Sequence, residues 1–81
     1  MLIRVKLFAA AKQRAGRDAV EVELPAGAMV ADLRRMLGQA VPELSELLRN
    51  VMFAVGTDYA GDLTVLAPDA DVACIPPVSG G

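Results

Sequence analysis

The sequence predicts a single α+β domain, a mixed β-sheet packed on one main helix, with a short tail beyond it. Three observations carry this. Apolar residues alternate with a period of two near both ends of the chain. One central stretch changes to helical spacing. The alternation then stops at two consecutive prolines, Pro76 and Pro77, six residues from the end.

Residues 2–8 alternate: Ile3, Val5 and Leu7 point one way and Arg4, Lys6 and Phe8 the other, as in a half-buried strand. Residues 9–13 read as a loose stretch, and Gly16-Arg17-Asp18 as a turn. Residues 19–24 alternate again, with Val20, Val22 and Leu24 inward and Glu21 and Glu23 outward. These two strands are expected to form a hairpin, ended by Pro25-Ala26-Gly27. From Val30, helical spacing aligns Val30, Leu33, Leu37 and Val41. Met36 and Ala40 widen the stripe, and Arg34 and Arg35 fall on the wet side. Asp32 suits the helix dipole, but Met29 sits where a hydroxyl cap is expected.

Pro42 closes that helix, and the residues to Leu48 read as a second, short helical turn. Residues 51–55 form an apolar run without alternation, whose Val and Phe content favours a strand. Gly56-Thr57-Asp58 turns, residues 63–66 read as a brief edge strand, and Pro68-Asp69-Ala70 turns again. Residues 71–75 alternate as the last strand, with Val72 and Cys74 inward and Asp71, Ala73 and Ile75 outward. Strands separated by one main helix fit the β-grasp, or ubiquitin-like, arrangement, in which the first and last strands are parallel central neighbours. Residues 1–75 form that domain and residues 76–81 the extended tail.

Composition narrows the function. Eighty-one residues, 54% of them hydrophobic, make one dense domain rather than a disordered linker. Eight basic against ten acidic residues give a net charge of −2, which argues against nucleic acid as a partner. One cysteine and no histidine cannot supply a structural zinc site, an iron–sulfur cluster or a Ser-His arrangement, so no metal site is expected. No run is long and apolar enough for a membrane span, and the start does not resemble a signal peptide, so a cytoplasmic protein away from membranes is expected. Cys74, inward on its strand, reads as a small buried hydrophobe. Lys12, Arg14 and Arg17 read as a solvated basic loop or a steering patch for an acidic partner.

The terminus is the distinctive part. Pro76 and Pro77 have no N–H to extend a sheet, so the chain is expected to leave the domain there, stiffly. Six residues span at most roughly 20 Å, and Val78, Ser79, Gly80 and Gly81 are slim enough for a narrow channel. The plainer alternative is a frayed end without function.

The whole chain resembles molybdopterin synthase small subunits. The likeness lies in Leu7-Phe8-Ala9, Val30-Ala31-Asp32-Leu33, Ala54-Val55, Asp58-Tyr59 and, above all, Pro76-Pro77-Val78-Ser79-Gly80-Gly81. Two positions depart from that family: Gly56, where Asn is common, and Met29, where a hydroxyl-bearing cap is usual. The resemblance implies a ubiquitin-like sulfur carrier, not an enzyme by itself, with no bound cofactor. An ATP-dependent adenylating enzyme would activate the Gly81 carboxylate, and a sulfur donor would convert the adenylate to a thiocarboxylate. The tail, Pro76 to Gly80 carrying Gly81, would then enter the large catalytic subunit, in a 2:2 heterotetramer, and pass sulfur to precursor Z. The resemblance also places partner contacts at Phe8, Tyr59 and Ile75. By strand alternation Phe8 and Ile75 point outward, and if the first and last strands are parallel neighbours they lie side by side on the outer face; scattered surface hydrophobes are the alternative. Three readings stay open: this carrier, a carrier or ubiquitin-like modifier for another pathway such as thiamine, and a plain interaction module. The paired prolines and the length favour the first over thiamine carriers.

Overall fold

The computed structural model describes residues 1–77. Strand β1 (Leu2–Leu7) leads into helix α1 (Ala9–Ala15), strand β2 (Ala19–Glu23) and the main helix α2 (Val30–Ala40). Two 3₁₀ turns, Pro42–Leu44 and Leu47–Arg49, precede strands β3 (Met52–Val55), β4 (Asp58–Ala60) and β5 (Val72–Ile75). The five strands form one sheet in the order β2-β1-β5-β3-β4. The first and last strands are parallel central neighbours, with Val5 opposite Val72 and Leu7 opposite Cys74. The other pairings are antiparallel. This is the expected β-grasp.

The core follows the alternation. Ile3, Val5, Leu7, Val20, Val22, Val72 and Cys74 line the inner face of the sheet, and with Leu24 they form one buried cluster with Leu33 and Leu37 of α2. Each large aliphatic side chain buried there contributes roughly 1.5–3 kcal/mol, the main stabilising term in so small a domain. Met29 makes no side-chain cap, but Asp32 supplies the reciprocal bond of a capping box: its carboxylate accepts the Met29 N–H at 2.8 Å. That bond, followed by Arg35 at 3.2 Å, holds the Asp32 carboxyl below its ordinary pKa. Gly56 opens the two-residue β3–β4 turn at φ +63°, on the left-handed side that glycine takes without strain.

Four local expectations are corrected. Residues 9–13 are not loose, because α1 runs from Ala9 to Ala15 and ends on Gly16, whose φ is +72° and whose N–H returns to Lys12. Its alanines favour a helix but are too small to show an apolar period, and only Ala11 is buried. The β1–β2 connection therefore contains a helix. Residues 63–66 do not form a strand: a single bridge joins Val65 to Met29, and β4 takes the sheet edge. Ala40, expected to widen the apolar stripe, is exposed, whereas the short helical turn expected after Pro42 is present as the pair of 3₁₀ turns.

Arg34 is the fourth. Far from being wet, its side chain is only 26% exposed and its guanidinium lies 5.0 Å from the centre of the buried Phe53 ring. It donates to the carbonyls of Leu48 at 2.6 Å and Val51 at 2.9 Å, and pairs with Asp62 at 3.0 Å. Arg34 thus joins α2 to the second 3₁₀ turn, to the start of β3 and to the loop after β4. Arg35 does lie on the exposed side as expected.

Candidate functional site

The parallel pairing of β1 with β5 brings the ends of these strands to one pole of the domain. Continuing their register by one residue sets Phe8 beside Ile75, and the Phe8 N–H donates to the Cys74 carbonyl at 3.3 Å. On the other side of β5, Ile75 is opposite Met52. Phe8, Ile75 and Met52 therefore form one row across the outer face, away from α2. The neighbouring row runs Lys6, Ala73, Ala54 and Tyr59. Phe8, Met52 and Tyr59 are 47%, 51% and 65% exposed, so this pole carries a contiguous apolar surface rather than scattered hydrophobes.

The structure thus brings the three expected contact residues onto one face. It adds Met52 and Asn50, which line a shallow groove with Tyr59, Ile75, Pro76 and Pro77 at the root of the tail. Met52 was masked in the sequence because it is itself apolar. Val51 and Phe53 are buried while Met52 is exposed, so a true alternation reads there as an unbroken apolar run. Pro76 is still buried against the domain, whereas Pro77 is exposed. Val78, Ser79, Gly80 and Gly81 lie outside the described residues.

Other singled-out groups play different parts. Cys74 is fully buried, and burial pushes its thiol from 9.0 up to about 11, so it stays protonated at neutral pH and is no nucleophile. Lys12 and Arg14 belong to α1 and not to a loop, and Lys12 pairs with Asp18 at 3.0 Å. Among the described residues, no helix is long and apolar enough to cross a membrane.

The ThiS family profile matches residues 5–81. The chain belongs to the ThiS family. A molybdopterin synthase sulfur carrier subunit from Caenorhabditis briggsae is 37% identical over 81 residues, covering 98% of this chain and 96% of the relative. Among solved structures, SAMP1 from Haloferax volcanii, a small archaeal modifier protein, superposes with a TM-score of 0.87 at 28% identity, each chain fully covered. A Pyrococcus furiosus protein assigned as molybdopterin converting factor subunit 1 gives 0.83 at 31% identity, covering 96% of this chain and 99% of the other. The ThiS-family match, which runs to Gly81, includes the whole tail.

Proposed function

We propose that this chain is the sulfur carrier subunit of a molybdopterin synthase and that its reacting group is the Gly81 carboxyl. The observation that carries the reading is the outer-face row of exposed Phe8, half-buried Ile75 and exposed Met52 at the root of a Gly-Gly terminus, in a ThiS-family chain. A free terminal carboxylate, with a pKa near 3.5, is ionised at neutral pH and is a poor electrophile. An activating enzyme therefore joins it to the AMP portion of ATP, releasing pyrophosphate. Sulfur at the sulfide level then attacks the acyl carbon, the bond to AMP breaks and AMP leaves, and the terminus becomes a thiocarboxylate. The carrier docks through its apolar face, and the tail delivers sulfur to precursor Z in the large subunit, two charged carriers serving each dithiolene. Bases and phosphate-binding groups belong to the partners; the carrier contributes a docking face, a tether and one carboxyl.

The test is intact mass after incubation with the activating enzyme, ATP and a sulfur donor. The expected gain is the difference between one sulfur and one oxygen atom, confined to the C-terminal peptide. The likeness to a small archaeal modifier protein favours one alternative, attachment of Gly81 to lysines of other proteins. Isopeptide conjugates without a thiocarboxylate would decide for that reading.

Docking makes a separate prediction. Phe8→Ala should weaken binding to the large subunit by more than about 1 kcal/mol, as truncating a buried aromatic anchor commonly does. The melting temperature should barely change, because Phe8 faces away from the core. Titration calorimetry showing unchanged affinity would remove Phe8 from the interface.

A further inference from the structure

In a parallel ladder, the residue beside Ile75 on β1 bonds to both neighbours of Ile75 on β5. Its N–H donates to residue 74, and its carbonyl accepts from residue 76. That residue is Phe8. The first bond is present, from the Phe8 N–H to the Cys74 carbonyl at 3.3 Å. The second cannot form, because position 76 is proline and has no N–H. The carbonyl left over is not idle: Phe8 accepts the N–H groups of Ala11 at 3.1 Å and Lys12 at 3.4 Å, the first turn of α1. One missing hydrogen on β5 therefore permits β1 to turn directly into a helix. Pro76 is itself buried at this junction and the next residue, Pro77, is exposed.

We propose that Pro76 is a positioning residue. By withholding the next rung of the β1–β5 ladder it ends the sheet at Ile75, leaves the Phe8 carbonyl to α1, and sets the direction in which the tail departs. A residue with an N–H at this position supplies the missing rung. Its φ then relaxes from the proline value near −65° toward the strand value near −120°, and the chain continues along the β5 axis. The departure angle changes, and so does the place to which five further residues carry the Gly81 carboxyl. The consequence for transfer rests on the sulfur-carrier reading; the consequence for the ladder does not.

The experiment compares wild type, Pro76→Ala and a semisynthetic chain with N-methylalanine at position 76, which lacks both the N–H and the ring. Amide hydrogen exchange reads the ladder. In Pro76→Ala the new amide at position 76 should exchange at least tenfold slower than in an unstructured peptide, and the Ala11 and Lys12 amides should exchange faster than in wild type. Single-turnover sulfur transfer to the large subunit reads the position of the tail. Pro76→Ala should transfer at least tenfold slower, with its affinity for the large subunit within twofold of wild type. The N-methylalanine chain should stay within threefold in both. An unprotected amide at position 76 with unchanged Ala11 and Lys12 exchange overturns the proposal. So does wild-type transfer by Pro76→Ala, or an N-methylalanine chain as slow as Pro76→Ala, which would assign the effect to the ring. If wild type itself takes no sulfur, the carrier reading fails, and the exchange result still decides the ladder.

Discussion

Deletion of Gly81 is expected to abolish sulfur transfer while leaving the melting curve unchanged. The deletion moves the terminal carboxyl back by one residue, about 3.5 Å along an extended chain. A displacement of even 1 Å from a productive geometry can cost about a hundredfold in rate, so loss by at least that factor is expected. Adding one residue beyond Gly81 should be as severe for a different reason, since the carboxyl becomes an amide and the group to be adenylated disappears. Among the described residues the buried apolar cluster runs from Ile3 to Cys74, and both changes are made seven or more residues beyond it. Stability should move by less than about 0.5 kcal/mol, as for ordinary surface changes. The measurement pairs thermal unfolding with thiocarboxylate formation by mass. A truncated chain that still acquired sulfur and supported transfer at the wild-type rate would sink the carrier reading, leaving an interaction module.

Arg34→Ala is expected to have the opposite signature: intact chemistry on an unstable domain. The substitution strands the carbonyls of Leu48 and Val51, leaves Asp62 unpaired, and uncovers the Phe53 ring. Bonds from a charged donor are worth about 1.5–3 kcal/mol each, and water recovers part of that at a side chain that is not fully enclosed. A net loss of about 2–4 kcal/mol is expected, a large share of the roughly 4–12 kcal/mol available to a domain of this size. Arg34→Lys should recover less than half, because an ammonium cannot reproduce the planar fork that reaches three acceptors. Arg35→Ala is the control: exposed, and paired only with Asp32 one turn back, it should cost under about 0.5 kcal/mol. Urea unfolding of the three variants checks this. Equal stability of Arg34→Ala and Arg35→Ala would show that the clip contributes nothing.

Arg34 also shows where one-dimensional reading stops. Helical spacing set Val30, Leu33, Leu37 and Val41 on the core side, and all four are buried. The same spacing put Arg34 on the wet side and could not reveal that carbonyls of residues 48 and 51 would arrive beside it, since those come from a segment 14 and 17 residues away. The alanines of α1 were silent because a methyl group carries too little apolar area to mark a period. Met52 was misleading because an exposed apolar residue copies the signature of a buried one.

Alternation by itself determined which side chains of β1, β2 and β5 face the core, because a side chain on the wrong face of a strand forfeits its burial. Chemistry by itself determined that Pro76 and Pro77 end the sheet, because a residue without an N–H cannot donate to a ladder. The resemblance of the terminal motif to molybdopterin synthase small subunits singled out Gly81. Only the tertiary structure decided that Phe8, Ile75, Met52 and Tyr59 form a single face and that Pro76 stays packed while Pro77 does not. It also decided that the ladder rung missing at Pro76 serves the start of α1. The reason is physical: each of these features depends on a hydrogen bond or contact between segments far apart in the chain, and local periodicity holds no information about which distant backbone will lie alongside.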